Sequence, residues 1–284
     1  MTAREPAPPR TELLALRTEL LALALDAAGR AADLLADGSA SRRRDVATKS
    51  SGTDMVTDMD RAAEALIVRT LLGVRPADAV LGEEGGERAG TSGVRWIVDP
   101  LDGTTNYLYG HPGYAVSIAA EVDGVVEVGV VADVSRNETF SASRGGRSHL
   151  EDVALAGSTC TDLAQALVAT GFSYRPEQRT VQAARLRHVL PVVRDIRRNG
   201  AAAIDLCWVA CGRVDAYYET DVQPWDVAAG LLIAEEAGMA TTGIDGGPAT
   251  GASVLAAAPA LVEPLQALLQ EPPRRRYGRL GVPA

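Results

Sequence analysis

The chain has 284 residues, of which 46% are hydrophobic and 23% are charged, and its formal net charge is −9. This composition is typical of a globular protein, has room for two layered domains and excludes disorder over most of the chain. The acidic balance also argues against a general nucleic-acid-binding surface, because the basic runs are confined to "SRRRD" at 41–45 and "PPRRRYGR" at 272–279.

The number of cysteines and the distribution of apolar residues indicate in which cellular compartment the protein is expected. The three cysteines, Cys160, Cys207 and Cys211, are too few and too irregularly spaced for a disulfide framework or a zinc cluster. A reducing cytoplasm is therefore expected. The N-terminal residues lack the charged-then-apolar pattern of a signal peptide, and no run of about 18 apolar residues predicts a membrane span.

The first part of the chain is predicted to be helical. Residues 1–9 are rich in proline and predict a disordered tail. Leucines and alanines at helical spacing from Thr11 to about Asp37 predict one long amphipathic helix, and a second helix is expected to start near Asp60. The segment between these helices is polar and rich in turn residues.

The pattern then changes to short runs rich in Val, Ile and Tyr, which predict an antiparallel meander packed on the first helices. These runs are 79–84, 94–100, 114–122, 125–134 and 138–143. After about residue 152, helical patterns alternate with short strands, as in an α/β layer. We therefore expect an N-terminal domain at 10–152, a C-terminal domain at 153–271 and a basic tail at 272–284.

Acidic residues cluster at the ends of predicted elements rather than along solvated helix faces. The clusters are Asp58 with Asp60, Glu83 with Glu84, Asp99 with Asp102, and Asp226. Carboxylates that converge in a cleft repel one another, and a hard divalent cation relieves that repulsion.

The segment "WIVDPLDGTTNY" at 96–107 carries two of these acids. Because Asp99 precedes Pro100, its backbone is expected to be extended, with the carboxylate at the tip of the strand. Pro100 would then turn the chain so that Asp102 faces the same point, and the N–H groups of residues 103–105 would form an anion-binding turn. A plain polar β-turn is an equally good interpretation of this segment alone. The "GEEGG" and "PWD" clusters elsewhere favour a site.

These motifs resemble the inositol monophosphatase family, within the larger group of lithium-sensitive, magnesium-dependent sugar phosphatases. The resemblance covers about residues 10–270 and implies an α/β (α+β) fold, a layered αβαβα sandwich, and a homodimer. It is carried by "KSSGTDMVTDMD" (49–60), "GEEGG" (82–86), "WIVDPLDGTTNYLYGHPGYAVSIA" (96–119), "NGAAAIDLCWVACGRVDAYYE" (199–219) and "WDVAAGLLIAEEAG" (225–238).

The resemblance implies two or three Mg²⁺ ions per active site. Glu83 and Asp99, with the backbone carbonyl of Leu101, are expected to hold one ion. Asp99, Asp102 and Asp226 are expected to hold a second. All of these positions carry the residue type that the family's motifs require.

The resemblance also implies catalytic and substrate-binding roles. Asp60 and Thr104 are expected to orient the attacking water, and Glu83 to share in catalysis. The expected substrate contacts are Leu101, Asp102, Gly103, Thr104, Gly200, Ala201, Ala202, Glu219 and Asp226. Glu219 is alternatively an exposed loop acid. Lys49 is expected to support a loop over the site, or to be a plain surface lysine.

The implied activity is hydrolysis of inositol 1-phosphate, or of a related sugar or polyol phosphate, by metal-activated water without a covalent phospho-enzyme. Sister specificities stay open: histidinol phosphate, fructose 1,6-bisphosphate and 3′-phosphoadenosine 5′-phosphate. A rival from another class is a partner-binding protein that acts with the transcription machinery. The sequence itself indicates no transcription or nucleic-acid partner and no membrane association.

Overall fold

The computed structural model describes residues 10–38, 46–48 and 55–270. The predicted tails at 1–9 and 272–284 and the expected role of Lys49 fall outside these residues. Among the described helices, none is both long and apolar enough to cross a membrane.

Both helices predicted for the N-terminal region are present, close to their expected bounds. The helices of the described residues are α1 (Arg10–Gly38), α2 (Asp58–Val74), α3 (Thr104–Tyr109), α4 (Pro176–Val189), α5 (Ala202–Ala210), α6 (Pro224–Glu236) and α7 (Val262–Gln270). The strands are β1 (Val46–Thr48), β2 (Met55–Thr57), β3 (Ala79–Gly82), β4 (Gly86–Arg88), β5 (Val94–Asp102), β6 (Ala115–Val122), β7 (Val125–Asp133), β8 (Glu138–Ser143), β9 (Ser148–Leu150), β10 (Val153–Ala154), β11 (Leu167–Thr170), β12 (Asp195–Arg197), β13 (Ala216–Thr220), β14 (Ala240–Thr242) and β15 (Ser253–Ala257).

Eight strands form the first sheet, in the order β10-β9-β8-β7-β6-β5-β3-β4. Strands β5 to β10 are antiparallel, as predicted, but the prediction of a meander is wrong at β3, which pairs with β5 in parallel. Strand β4 forms a hairpin with β3 and lies at the edge of the sheet, whereas β5 lies on the other side of β3. The chain between β4 and β5 therefore crosses the start of β3. Gly90 makes this crossing, where a Cβ would overlap the backbone of Ala79.

The second sheet has the strand order β12-β11-β13-β15-β14. Strand β11 is parallel to β12 and β13, and β15 is antiparallel to β13 and β14. The sequence did not predict β14 or β15. Strand β15 reads "SVLAA" and is buried along almost its whole length, so it lacks the polar alternation that identifies a half-exposed strand.

Buried side chains on opposite faces of each sheet establish the order of the layers. Trp96 packs with α1 and α2, whereas its neighbour Ile97 packs with α5 and α6. In the second sheet, Tyr217 packs with α5 and α6, and Tyr218 packs with α4 and α7. The layers therefore run helices, sheet, helices, sheet, helices, and the predicted αβαβα sandwich is confirmed. The domain boundary at residue 152 stays a prediction.

Helix α6 lies directly against the first sheet at Gly129 of β7. A Cβ at this position would lie 2.8 Å from the carbonyl oxygen of Ala229 and 3.0 Å from its Cα. Only glycine permits this approach, because the contact is with helix backbone that has no freedom to move aside. Gly129 thus determines how closely α6 packs on the first sheet. Asp226 lies in the first turn of this helix.

We expect Gly129→Ala to lower the free energy of unfolding by about 1–3 kcal/mol, because the added methyl group overpacks the interface between β7 and α6. Gly29→Ala, at an exposed position in α1 with nothing within 4 Å of the new Cβ, should raise it by about 0.5–1 kcal/mol. Urea denaturation of the two variants measures both values. If both substitutions change the free energy of unfolding in the same direction, close packing at Gly129 is contradicted.

Candidate active site

The predicted site residues converge on one cavity of about 530 Å³ between the first sheet and the start of α5 and α6. The residues that line it include Glu83, Asp99, Leu101, Asp102, Gly103, Thr104, Gly200, Ala201, Ala202, Glu219 and Asp226. Asp60, the remaining predicted residue, lies fully buried behind Thr104. The structure therefore brings the whole predicted set together, whereas the individual roles stay predictions.

A β-bulge at the end of β5 turns Asp99 and Asp102 toward the same cavity. Asp99 pairs with Ser117 and Asp102 with Ala115, so two residues of β5 stand opposite one residue of β6. In a regular strand, residues three apart point to opposite faces, and the extra residue reverses this. The expectation that Pro100 ends the strand is wrong, because β5 continues to Asp102. The bulge, rather than a turn, aligns the two acids.

Gly103 connects β5 to α3 in a conformation that favours glycine. Its φ is +90°, and a Cβ there would lie 2.7 Å from the carbonyl oxygen of Gly113. The first N–H groups of a helix have no carbonyl partner within that helix. At the start of α3, Gly103 and Thr104 line the cavity, so this backbone can serve an anion there.

Thr104 is positioned by a buried acid. Its Oγ1 lies 3.0 Å from Oδ1 of Asp60 and 3.1 Å from the carbonyl oxygen of Leu101. Both are acceptors for the one hydroxyl hydrogen when Asp60 is ionised. When that hydrogen points to Asp60, which is buried and does not line the cavity, the lone pairs of Oγ1 are left to accept a hydrogen bond from a group inside the cavity.

Burial and mutual repulsion perturb the acids of the cavity. The pKa of Asp99 is raised well above its usual range by burial first and then by Glu83, Asp102 and Asp226. The pKa of Asp102 is also raised well above its usual range, by burial and then by Asp226, although the N–H of Ala203 opposes this shift. A cluster of carboxylates with raised pKa values has the oxygen donors and negative charge that a hard divalent cation requires.

Each of three acids in the cavity is held by a backbone N–H group. Leu101 N–H donates to Asp99 at 2.9 Å, Ala203 N–H to Asp102 at 2.7 Å, and Gln223 N–H to Asp226 at 2.7 Å. Within residues 10–38, 46–48 and 55–270, no group of three or more His, Cys, Asp or Glu side chains is placed so that it could hold a metal ion. The acids of the cavity therefore fit a divalent cation in charge and donor chemistry alone, and the geometry sets neither the ligand positions nor the number of ions.

Glu64 is a site residue that the sequence analysis missed. It lies on α2 one turn after Asp60 and is 6% exposed. Its carboxylate accepts hydrogen bonds from Glu84 N–H at 2.8 Å and from Gly85 N–H at 2.5 Å. A Cβ on Gly82 would lie 2.6 Å from this carboxylate. Glu64 thus holds the turn that presents Glu83 and explains why glycines flank the acids of "GEEGG".

Glu219 stands on the far side of the cavity. Burial raises the pKa of Glu219 to about 7, against the effect of the Tyr217 hydroxyl, which donates to its carboxylate at 2.8 Å. Gly171 packs so closely on this carboxylate that a Cβ would overlap it. The alternative that Glu219 is an exposed loop acid is wrong, since Glu219 lies in β13, is half-buried and lines the cavity.

A chain of amide side chains connects α3 to the segment before α5. Asn106 Nδ2 lies 2.7 Å from the carbonyl oxygens of both Gly113 and Asn199. Asn199 Nδ2 in turn donates to Asp205, a buried acid of α5 whose pKa burial raises well above its usual range. The sequence analysis gave these residues no role. Because their partners are far apart in the chain, only the folded structure shows that they join the two sides of the cavity.

Comparison with known proteins identifies the family. The model of the inositol monophosphatase family matches residues 16–272. The chain belongs to the inositol monophosphatase family. This is a phosphatase family, so the expected class of enzyme is confirmed.

Individual inositol monophosphatase family members are similar over most of their length. An inositol-1-monophosphatase of Mycobacterium bovis is 45% identical over 92% of this chain and 96% of its own. A Nus factor SuhB of Pasteurella multocida is 41% identical over 85% of this chain and 92% of its own. The crystal structure of extragenic suppressor protein suhB from Bartonella henselae superposes with a TM-score of 0.85 at 35% identity, over 89% of this chain and 99% of the other.

The raised pKa values of Asp99 and Asp102 predict a pH-dependent stability for the cation-free protein. Between the usual carboxyl pKa and the raised one, the folded state binds more protons than the unfolded state, so the unfolding free energy falls as pH rises. Each pKa unit corresponds to about 1.4 kcal/mol. In the presence of a chelator, we expect a higher Tm at pH 5.5 than at pH 8. Addition of Mg²⁺ at pH 8 should raise the Tm again.

Thermal unfolding of Asp99→Asn isolates this contribution. The variant should have a higher Tm than the wild type at pH 8 in chelator and a weaker dependence on pH, because one buried charge is gone. Asp123→Asn, in an exposed turn away from the cavity, is the matched control and should follow the wild type. An Asp99→Asn variant less stable than the wild type at pH 8 would contradict the electrostatic explanation.

Replacement of Glu64 should weaken cation binding. In Glu64→Gln, one carboxylate oxygen becomes an NH₂ group that faces an N–H donor, so the turn carrying Glu83 loses a hydrogen bond. Loss of such a supporting contact lowers metal affinity by about 10–100-fold. The Mg²⁺ concentration that produces half of the maximal Tm shift measures this change. Glu87→Gln, on the exposed strand β4, should leave it unchanged, and equal effects in both variants would disprove a positioning role.

Proposed function

We propose that this protein is a magnesium-dependent phosphomonoesterase that hydrolyses inositol 1-phosphate, or a closely related polyol phosphate, to the free alcohol and phosphate. The observation that carries this proposal is the convergence of Glu83, Asp99, Asp102 and Asp226 on the same cavity as Thr104. The name of the Mycobacterium bovis relative supports inositol 1-phosphate as the substrate.

The proposed cation ligands are the carboxylates of Glu83, Asp99, Asp102 and Asp226 and the backbone carbonyl of Leu101. We propose two or three Mg²⁺ ions per cavity. When bound, Mg²⁺ would activate water and stabilise the negative charge on the departing oxygen. The ions would also cancel the repulsion between a phosphate ester and the acidic wall, which makes ester binding depend on the metal.

Thr104 and Asp60 would orient the attacking water. With its hydroxyl hydrogen donated to Asp60, Thr104 would accept a hydrogen bond from the water at Oγ1. The water is thereby held with a lone pair toward phosphorus. Glu83 lies in the turn that Glu64 supports. It would bind the cation beside this water and so share in catalysis. No described residue has to form a covalent intermediate in this scheme.

The substrate would lie across the cavity. Backbone N–H groups of Gly103 and Thr104 would bind phosphate oxygens. The small residues Gly200, Ala201 and Ala202 at the start of α5 leave room for the alcohol, and Glu219 would accept hydrogen bonds from its hydroxyl groups. Since the pKa of Glu219 is raised to about 7, its ionised form becomes the majority above neutral pH, where it accepts most strongly.

Three further properties belong to this proposal: assembly as a homodimer, inhibition by lithium and a cytoplasmic location. A second candidate function is binding to a transcription partner, which the name of the Pasteurella multocida relative favours. The two functions are separable, because the cavity acids act in hydrolysis and a docking surface need not include them.

Steady-state rates test the proposal. The purified full-length protein should hydrolyse inositol 1-phosphate faster than histidinol phosphate, fructose 1,6-bisphosphate and 3′-phosphoadenosine 5′-phosphate, and only with added Mg²⁺. Asp99→Asn should lower kcat/KM by about 1000-fold or more, since the lost charge stabilisation amounts to several kcal/mol. Thr104→Val should lower kcat by about 100-fold, whereas Thr104→Ser, which keeps the hydroxyl, should stay within tenfold of the wild type.

Asp123→Asn serves again as the control and should retain the wild-type rate. A rate unchanged in Asp99→Asn would disprove the metal-dependent mechanism. A clear preference for the nucleotide substrate would disprove the assignment of inositol 1-phosphate and leave the phosphatase class intact.

A further inference from the structure

The wall of the cavity opposite the acids is built from two separate connections. One is residues 171–175, between β11 and α4, and the other is residues 219–223, the last two residues of β13 and the connection to α6. Together these segments, here called the outer wall, supply nine of the residues that line the cavity: Gly171, Phe172, Ser173, Tyr174, Arg175, Glu219, Asp221, Val222 and Gln223.

Asp221 joins the two segments of the outer wall. Its carboxylate forms a two-point ion pair with Arg175, through Nη2 and through Nε at 3.0 Å. It also accepts a hydrogen bond from the hydroxyl of Ser173 at 2.5 Å. The Ser173 hydroxyl oxygen in turn accepts from Arg175 N–H at 3.0 Å. We call this set of contacts the clasp.

The backbone at Asp221 shows that the side chain is retained at a conformational cost. Its φ is +72°, in the left-handed region that glycine occupies most readily. Glycine would suit this backbone better, yet the position carries a carboxylate with three side-chain donors. Since aspartate does not improve the turn itself, its contribution lies in the contacts across the outer wall.

A second bridge supports the same segments from behind. Gln182 of α4 is buried, accepts from Ser173 N–H at 2.9 Å and donates to the carbonyl oxygen of Thr220 at 3.0 Å. It fixes the backbone of both segments without reaching the cavity. Loss of the clasp therefore should not unfold the wall, but should loosen its cavity side, which the Gln182 contacts do not reach.

The clasp lies close to Glu219. This acid is two residues from Asp221 on one segment, and its carboxylate packs directly on Gly171 of the other segment. A change in the separation of the two segments would therefore alter the packing of Gly171 on this carboxylate, which the Tyr217 hydroxyl also contacts. An acceptor placed for several hydroxyl groups of a rigid alcohol loses affinity when it shifts by even a fraction of an ångström.

We propose that the clasp of Asp221, Arg175 and Ser173 sets the preference of the cavity for phosphate esters of hydroxyl-rich alcohols. Asp221 is a positioning residue that acts through Glu219 and has no part in the attack on phosphorus. The inference rests on the proposed function. It adds that selection of the leaving alcohol depends on side-chain contacts that do not include the proposed metal ligands.

The test compares two esters in Asp221→Gly and a matched control. Inositol 1-phosphate offers several hydroxyl groups to the outer wall, and phenyl phosphate offers none. Asp221→Gly should lower kcat/KM for inositol 1-phosphate about tenfold, mainly through KM, and should lower kcat/KM for phenyl phosphate much less. Asp123→Gly makes the same substitution at a residue with φ of +51° in the turn between β6 and β7, and should leave the ratio of the two values at the wild-type level.

Additional variants separate positioning from stability. Asp221→Asn keeps an acceptor for Ser173 and tolerates the left-handed backbone, so it should recover part of the preference. Arg175→Gln should reproduce the loss, and the double variant with Asp221→Gly should add little to it. Amide hydrogen exchange of residues 171–175 in the full-length protein should become faster in Asp221→Gly and not in Asp123→Gly.

The outcomes are distinct. A wild-type protein that hydrolyses neither ester with Mg²⁺ would overturn the proposed function. A wild-type protein that hydrolyses both, with an unchanged ratio in Asp221→Gly, would overturn the role of the clasp alone. Unchanged amide exchange in that variant would also overturn it, because the outer wall would then be held without Asp221.

Discussion

Repulsion between the negatively charged carboxylates that are buried in one cavity is the constraint on which the rest of the site depends. The pKa values of Asp99 and Asp102 are raised by burial and by the neighbouring acids, so this cluster is unfavourable when ionised and without a cation. The fold tolerates it by giving separate backbone donors to Asp99, Asp102 and Asp226. These donors come from the bulge of β5, the start of α5 and the start of α6. A site of this kind can therefore exist only where the three elements meet.

The shared helical layer is what makes that meeting possible. Helices α5 and α6 pack on both sheets, and their first turns end at the same edge of the first sheet as β5. Gly129 lets α6 approach the sheet backbone, and the small residues at the start of α5 let Ala203 N–H reach Asp102. The packing of α5 and α6 in the core therefore determines the geometry of the cavity, since moving either helix moves an acid or its donor.

The sequence predicted the residues that lie in the family's motifs, including distant ones such as Glu83 and Asp226, and missed the residues that support them from elsewhere in the chain. Asp99, Asp102 and Thr104 share one motif, and their convergence follows from local geometry even though a bulge replaces the expected turn. Glu64 was missed because its partners, Glu84 and Gly85, lie 20 and 21 residues away. Strand β15 was missed because a short buried strand carries no alternation. Residues with distant partners need the tertiary structure before their role becomes visible.

The two walls of the cavity are held by different kinds of interaction, and this separates the chemistry from the choice of substrate. Backbone N–H groups hold Asp99, Asp102 and Asp226, and a side-chain substitution at the donor residue does not remove a backbone donor. The outer wall depends on side chains, with Asp221 paired to Arg175 across 46 residues of chain. By the proposed role of the clasp, a single substitution at Asp221 would alter the position of Glu219 and leave the proposed metal ligands themselves unchanged. On the proposed function, the motifs that contain Glu83, Asp99, Asp102 and Asp226 would identify the reaction, and the choice of ester would depend also on contacts between residues that are far apart in the sequence.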